Sequence, residues 1–210
     1  MGLMKKKMEA ALEATTSFLE TMGLTISAEK SCCMTFNRGR RRAVTVEIDD
    51  TTIPSVRKHR FLGVTMGDKL SWTPQANVIK ESTATPQGTL KRLQGTDWGC
   101  SPKALLALDR ALVVSRMLYS LRYAFPPPSK QLQLEAAHRT GLRTALGLPQ
   151  RAPSGLACGE AGSMPLRLTA TERLLRQFDR LRKTETEREI VSRIHSQKKS
   201  RIKIMDTGTY

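Results

Sequence analysis

One stretch decides the fold class of this chain: Ala43-Val44-Thr45-Val46-Glu47-Ile48-Asp49-Asp50-Thr51-Thr52-Ile53. Apolar and polar residues alternate from Val44 to Ile48, which is the pattern of a β-strand with one buried face. Asp49-Asp50 then has the composition of a turn, and a second short β-run follows it. The stretch therefore predicts two neighbouring strands of a small antiparallel sheet.

Further elements flank this pair of strands. Residues 5–22 have apolar side chains at helical spacing, and Gly23 is placed to end the helix. Strand-like runs at 31–37 and 58–66 lie on either side of the pair, and the basic loop 38–42 leads into it. This order predicts one helix packed on a small antiparallel sheet.

After Trp72 the sequence takes on a helical period. One or two helices are expected over 74–94, because Pro86 can break or kink a helix. Ser101-Pro102 has the residue types of an N-cap and a first helical position, so another helix begins there. The apolar stripe predicted for that helix consists of Leu105, Leu108, Leu112, Ser115 and Tyr119.

These patterns divide the chain into four predicted segments. Residues 1–72 hold the sheet and its helix, and 73–150 form a helical bundle. Residues 151–184 form a further helical segment, and 185–210 are a charged tail that we expect to fray. The predicted fold class is α+β, a small antiparallel sheet with one helix followed by a mainly α-helical bundle.

Charge is the strongest indication of function. The 210 residues include 35 Lys and Arg against 19 Asp and Glu, a formal net charge of +16. The excess is spread along the chain, which suits a protein that follows a polyanion with several elements. Nucleic acid is therefore the predicted partner, while the alternative is a merely basic or ribosome-associated soluble protein.

The cysteines and the apolar runs exclude other classes. Cys32 and Cys33 are adjacent, so neither a CxxC pair nor a zinc knuckle can be drawn. We expect reduced thiols in an intracellular compartment and no metal site. The longest wholly apolar stretches, such as 111–114, are far too short to span a membrane, so no membrane partner is predicted.

Three groups of cations are candidates for phosphate contacts. One precedes the run 61–64, and the other two have spacings that place them on single helical faces. Such stripes are also typical of solvated faces, and residue type alone leaves both interpretations open. The groups are Arg57, Lys58 and Arg60; Arg139 and Arg143; and Arg173, Arg176, Arg180 and Lys183.

Asp49-Asp50 is the one adjacent pair of acidic residues that resembles a metal-binding pair. Paired aspartates hold two magnesium ions in nucleotidyl transfer. Here Glu47 stands where polymerase-type motifs carry an aromatic residue, and Thr51-Thr52 opens a second strand. The pair is therefore predicted to form a turn.

Four stretches, in this order, carry a resemblance to a known family. They are Leu12–Lys30, which ends in Gly23-Leu24-Thr25-Ile26-Ser27-Ala28-Glu29-Lys30; Thr51–Pro54 with Arg60-Phe61-Leu62-Gly63-Val64-Thr65, running to Trp72; Leu105–Tyr123 followed by His138–Pro149; and Glu160–Leu166. Together they resemble the end of the palm and the thumb of reverse transcriptases from non-LTR (LINE-type) retrotransposons. The resemblance covers about residues 9–182.

The resemblance implies roles for particular residues. Lys30 falls at the family's motif D lysine, a proposed general acid for the departing pyrophosphate. The primer grip would consist of Phe61, Leu62, Gly63 and Val64. The helices after Trp72 would hold the backbone of an RNA template, a DNA primer or their hybrid.

The resemblance also implies what this chain does not supply. In the family the fingers, the palm aspartates and the aromatic-x-Asp-Asp motif precede the helix that matches here. We therefore expect a truncated remnant that binds template–primer, has no polymerase activity by itself and lacks a cofactor, whereas a complete enzyme needs magnesium. The missing fingers and palm are a further expected partner. The rival hypothesis is a stand-alone basic RNA-binding or ribosome-associated helical protein.

Overall fold

The computed structural model describes most of the chain in two compact units. The units comprise residues 1–88 with 124–134, and residues 89–123 with 135–210. The domain boundaries expected from the sequence stay predictions. The described residues are 2–36, 44–48, 51–95, 98–121 and 123–181, with 183, 185, 188, 189, 192 and 193.

The first unit combines helices with two hairpins. Strands β1 and β2 pair antiparallel, and so do strands β3 and β4. The α+β class is therefore confirmed, although the described strands form two separate two-stranded sheets rather than one. The elements are α1 (Gly2–Thr21), β1 (Val46–Ile48), β2 (Thr51–Ile53), β3 (Lys58–Phe61), β4 (Val64–Gly67) and α2 (Thr73–Leu93).

The first hairpin and α1 enclose a small core. Val46 and Ile48 are buried while Glu47 between them is exposed, so the predicted alternation is confirmed. Met8 and Leu12 of α1 pack against this cluster. The predicted turn at Asp49-Asp50 and the basic loop 38–42 lie outside the described residues.

The run 31–37 forms less strand than its sequence predicts. Within its described part, Cys33 makes an isolated parallel bridge to Ser55. The backbone N–H of Cys33 donates to Pro54 O, and that of Val56 donates to Cys33 O, both at 2.9 Å. Pro54 has no N–H to donate, which limits further pairing beside this bridge.

The second unit is helical. Ser101 Oγ accepts a hydrogen bond from Ala104 N at 3.3 Å, and Pro102 follows it, so the predicted helix start is confirmed. Part of α2 and part of α5 belong to each unit. The elements are α3 (Pro102–Asp109), a π-helical turn (Arg110–Val114), α4 (Ser115–Leu121), α5 (Pro128–Ala145), α6 (Ser154–Glu160) and α7 (Leu166–Leu181).

The stripe predicted for residues 105–119 is wrong beyond its first residues. Leu112 and Tyr119 are exposed instead, because a π-helical turn interrupts the α-helical period. A π-helical turn is wider than an α-helical one, so positions four apart stay on one face. Leu105, Asp109, Val113, Met117 and Leu121, each four residues after the last, are buried, and so are Leu118 and Ser120.

Pro86 does not divide the helix that contains it. Helix α2 runs from Thr73 to Leu93 with Pro86 inside it. Just before the proline, Thr83 Oγ1 donates a hydrogen bond to Ile79 O at 2.9 Å. The sequence left one helix or two open, and the structure has one.

Candidate nucleic-acid interface

The β3–β4 hairpin ends in an apolar, strained tip. Phe61 pairs with Val64, so Leu62 and Gly63 form a two-residue turn, and their φ angles are 47° and 80°. Two positive φ angles are the mark of a type I′ turn, in which Asn-Gly is preferred. A leucine in the left-handed region costs about 1–2 kcal/mol. Leu62 is nevertheless 76% exposed, so this tip is poorly explained by folding stability.

Phe61 adds to the same exposed patch. Its side chain is 57% exposed, on the strand that leads into the turn. The sequence interpretation placed 61–64 inside a continuous strand, whereas the structure places Leu62 and Gly63 at the turn. Exposed aromatic and aliphatic side chains at a loop tip are typical of binding surfaces.

Cations surround the base of this hairpin. Arg57, Lys58 and Arg60 are all exposed. Arg57 and Lys58 also line an open pocket of about 360 Å³, together with Lys69 and the carboxylate of Asp68. Three cations against one carboxylate give this pocket a net positive charge, which favours an anionic ligand such as a phosphate. The rest of the lining is Gly67, Ser71, Thr73, Pro74 and Asn77.

Helix α2 holds the hairpin in place. The buried Gln75 accepts a hydrogen bond on Oε1 from Thr65 N at 2.7 Å. Beyond the last strand pair, Asp68 N donates to Arg57 O at 2.9 Å. The tip is therefore carried on a supported scaffold, as binding loops commonly are.

A groove between α1 and β1 has the opposite charge. Four glutamates line it, and only Glu9 among the described side chains there is in an ion pair, with Lys5 at 3.4 Å. A polyanion would be repelled from this groove, whereas the cations at the second hairpin would attract one. The glutamates are Glu9, Glu13, Glu20 and Glu47.

Lys30 lies in a turn of the first unit. Its side chain is exposed. The turn is closed by Ser31, whose backbone N–H donates to Ala28 O at 3.1 Å and whose Oγ donates to Ser27 O at 2.7 Å. Within the described part of the chain Lys30 has neither an ion pair nor a side-chain hydrogen bond, so it is open to a ligand.

The two arginines of α5 make internal bonds. Arg139 Nε lies 3.3 Å from Glu135 Oε1, and the glutamate is 8% exposed. Arg143 donates from Nε to Ala152 O and from its guanidinium to Ser154 Oγ, both at 3.0 Å. Arg143 thereby ties α5 to the start of α6. A phosphate would have to compete with these contacts.

The cations of α7 face solvent. Arg173, Arg176, Arg180 and Lys183 are all exposed. Arg176 pairs with Glu172 of the preceding turn at 2.6 Å, whereas Arg173 and Arg180 have no ion pair among the described residues. Helix α7 is fixed in part by Tyr123, whose hydroxyl donates to Gln177 Oε1 at 2.8 Å. The stripe is therefore available to a polyanion.

A buried carboxyl group in the second unit was not predicted from the sequence. Asp109 is fully buried at the junction of α3 and the π-helical turn, and neither of its oxygens has a hydrogen-bond partner. Burial raises the pKa of this carboxyl to about 6, with a smaller opposing effect from Arg110. The sequence does offer one indication of this burial, because Asp109 stands among apolar residues on the buried side of a helix.

Helix α5 packs closely against this carboxyl. A side chain added at Gly141 would place its Cβ 2.5 Å from Asp109 Oδ1, so the glycine permits the approach. His138, one turn earlier, is 1% exposed, and burial lowers its pKa. Smaller influences come from Glu135 and the Met164 backbone, which raise the pKa, and from Arg139, which lowers it. Both groups belong to the interior of the second unit rather than to a surface site.

No metal centre or membrane helix occurs in the described part of the chain. Among those residues, His, Cys, Asp and Glu form no cluster of three that could hold a metal ion. None of the described helices has the length and apolarity needed to cross a bilayer.

The chain is similar to proteins of R1-type retrotransposable elements. It is 28% identical over 107 residues to a 115 kDa protein in type-1 retrotransposable element R1DM of Drosophila melanogaster. It is 27% identical over 104 residues to a retrovirus-related Pol polyprotein from type-1 retrotransposable element R1 of Nasonia vitripennis. No protein-family model matches the chain, and no solved structure matches it.

These alignments cover parts of each protein. They span 49% and 47% of this chain, but 10% and 31% of the two relatives. The chain thus spans less than a third of the length of either relative. Its similarity to proteins of a non-LTR retrotransposon extends over about half of its own length.

Proposed function

We propose that this chain is the palm-end and thumb portion of a retrotransposon reverse transcriptase and binds template–primer nucleic acid. The single observation that carries the proposal is the β3–β4 hairpin, which presents an exposed apolar tip above three exposed cations. The similarity to R1-element proteins supports the same conclusion. Binding is to an RNA template, a DNA primer or their hybrid.

The contacts proposed are to the backbone. Arg57, Lys58 and Arg60 would neutralise phosphates, while Phe61 and Leu62 would pack on the sugar or base at the primer end. In the second unit, the exposed stripe of α7 supplies further phosphate contacts. Such contacts carry no base readout, so binding should be strongly salt-dependent and indifferent to sequence.

Lys30 is proposed to act only within a complete polymerase. A protonated lysine can donate to the leaving pyrophosphate oxygen once metal-bound carboxylates have positioned the primer end. The sequence of this chain contains no aromatic-x-Asp-Asp run. We therefore expect the 210-residue chain by itself not to extend a primer, and the remaining palm and fingers to be its protein partner.

The binding proposal is tested at the hairpin. Fluorescence anisotropy would follow binding of a labelled RNA–DNA hybrid at several salt concentrations. The slope of log affinity against log salt is negative. Replacing Arg57, Lys58 and Arg60 with Gln should reduce its magnitude by about 2–3, since each lost phosphate contact removes about 0.7–0.9. The matched control replaces Lys5, Lys6 and Lys7 of α1, which removes equal charge near the acidic groove.

The two variants separate the outcomes. The proposal is supported if the magnitude of the salt slope falls further in the hairpin variant than in the α1 variant. Equal losses would show that only net charge matters, and the hairpin would not be an interface. A marked preference for one structured RNA over hybrids of unrelated sequence would favour the rival RNA-binding protein.

Catalysis is tested separately by primer extension. Purified chain would be incubated with template–primer, nucleotides and magnesium or manganese, alongside an Asp49→Ala, Asp50→Ala variant. No extension by either is expected. Extension that the double substitution abolishes would contradict both the turn interpretation and the proposal that the polymerase carboxylates lie elsewhere.

A further inference from the structure

A thiol and an imidazole meet within the first unit. Cys32 Sγ lies 3.1 Å from His59 Nδ1, within hydrogen-bond distance, and both residues are half-buried. His59 belongs to β3, and Cys32 belongs to the segment that bridges to Ser55. Two different parts of the fold therefore bring the pair together, across 26 intervening residues.

The neighbouring cysteine has a contrasting environment. Successive side chains of an extended segment point to opposite faces. Cys33 therefore enters the core of the first unit and is 6% exposed, whereas Cys32 faces His59. Burial, with a further contribution from Cys32, raises the pKa of the Cys33 thiol, so it forms less of the reactive thiolate.

We propose that Cys32 and His59 form a nucleophilic thiol site that reacts with two-electron oxidants such as hydrogen peroxide. A thiol next to a base that can take its proton is the arrangement on which thiol nucleophiles depend. The proposal does not rest on the proposed nucleic-acid binding, although His59 stands between Lys58 and Arg60 of that surface, and it requires no metal.

The reaction consumes one hydrogen peroxide for each Cys32 thiol and releases one water. His59 Nδ1 accepts the thiol proton, and the Cys32 thiolate attacks one oxygen of hydrogen peroxide. An S–O bond forms and the O–O bond breaks, while the departing hydroxide takes the proton from His59 and leaves as water. The sulfur loses two electrons to the peroxide and becomes a sulfenic acid, which a thiol can later reduce.

The test compares the four free cysteines of one chain. The protein would be exposed to hydrogen peroxide with dimedone, which traps sulfenic acids, and adducts at each cysteine would be quantified by peptide mass spectrometry. Cys100 and Cys158 are matched controls, because both are half-buried free thiols. Cys32 should form adduct at least about tenfold faster than either control, a modest share of the 10²–10⁴-fold typical of a positioned base.

Two variants test the role of His59. His59→Phe and His59→Gln should both lower the Cys32 rate to that of Cys100 and Cys158. If the substitutions merely loosened the fold, Cys32 would become more accessible and its rate would rise. Labelling of the buried Cys33 with iodoacetamide reports such loosening directly.

The outcomes decide the proposal. Selective adduct at Cys32 that is lost in either His59 variant with Cys33 still protected supports it. A wild-type Cys32 rate within about twofold of the two control cysteines overturns it, and so does a Cys32 rate that both substitutions leave unchanged. If both variants expose Cys33, the wild-type comparison decides alone.

Discussion

The arginines of α5 and α7 look alike in sequence and differ in the structure. Arg139 and Arg143 are four residues apart on α5, and Arg173 and Arg176 are three apart on α7. The α5 pair bonds to Glu135 and to the start of α6, whereas the α7 arginines project into solvent. Spacing thus identifies a shared face, but the local partners decide whether its cations are available to a ligand.

The surroundings of α5 support this distinction. Its buried side holds His138 and faces the carboxyl of Asp109 across Gly141. Helix α7 has two buried residues, Leu166 and Ala170, near its start. We therefore expect substitutions around α5 to change stability, and substitutions on α7 to change binding.

The largest effect is expected at Asp109. Its pKa of about 6 in the folded protein stands above the ordinary value of 3.8, so folding disfavours the ionised form. A protonated Asp109 does not destabilise the fold. With respect to this group, the protein therefore keeps its full stability below about pH 4 and loses stability as the pH rises through about 6. Asp109→Asn, which cannot ionise, should therefore raise the unfolding free energy by about 3 kcal/mol at about pH 8.

Urea unfolding at several pH values checks this prediction. The free energies of the variant and the wild type should converge below about pH 3, where Asp109 is protonated in both folded and unfolded chains. A difference that stays constant over the whole range would contradict the buried, unpaired carboxyl.

An intermediate effect is expected at Arg143. Arg143→Gln removes two hydrogen bonds that join α5 to the α6 start, and should lower the unfolding free energy by about 2 kcal/mol. Arg176→Gln removes an exposed ion pair and should change the unfolding free energy by less than about 0.5 kcal/mol. Equal decreases in the free energy of unfolding of the two variants would contradict the proposed difference between α5 and α7.

A smaller stability effect than at Arg143 is expected at the hairpin tip. Asparagine adopts positive φ more readily than leucine, so Leu62→Asn should raise the unfolding free energy by about 1 kcal/mol. The same change removes the apolar tip and should weaken binding of the RNA–DNA hybrid. A variant that is no more stable than the wild type would contradict the strain assigned to the tip. A variant that binds the hybrid as tightly as the wild type would contradict the binding role assigned to it.

Local sequence signals predicted the parts of the fold that depend on neighbouring residues. The alternation from Val44 to Ile48 identified β1, and Ser101-Pro102 identified the start of α3. Both signals act through adjacent backbone groups. They are therefore visible without knowledge of the tertiary structure.

The rest depends on contacts that no local pattern encodes. The π-helical turn after Asp109 shifts the buried stripe by altering the helical period. The bonds of Arg143 reach Ala152 and Ser154, and the contact of Cys32 reaches His59. Sequence spacing identified the cations and the run 61–64, but the exposure of each followed only from the structure.

The salt dependence of hybrid binding distinguishes the exposed cations of α7 from the internally bonded arginines of α5. One variant carries Arg173→Gln, Arg176→Gln and Arg180→Gln on α7, and its matched control carries Arg139→Gln and Arg143→Gln on α5. In the α7 variant the magnitude of the log–log salt slope should fall by about 2–3. In the α5 variant, confirmed as folded by circular dichroism, it should stay nearly unchanged. An unchanged slope in the α7 variant, or a larger loss in the α5 variant, would contradict the assignment of backbone binding to the exposed cations.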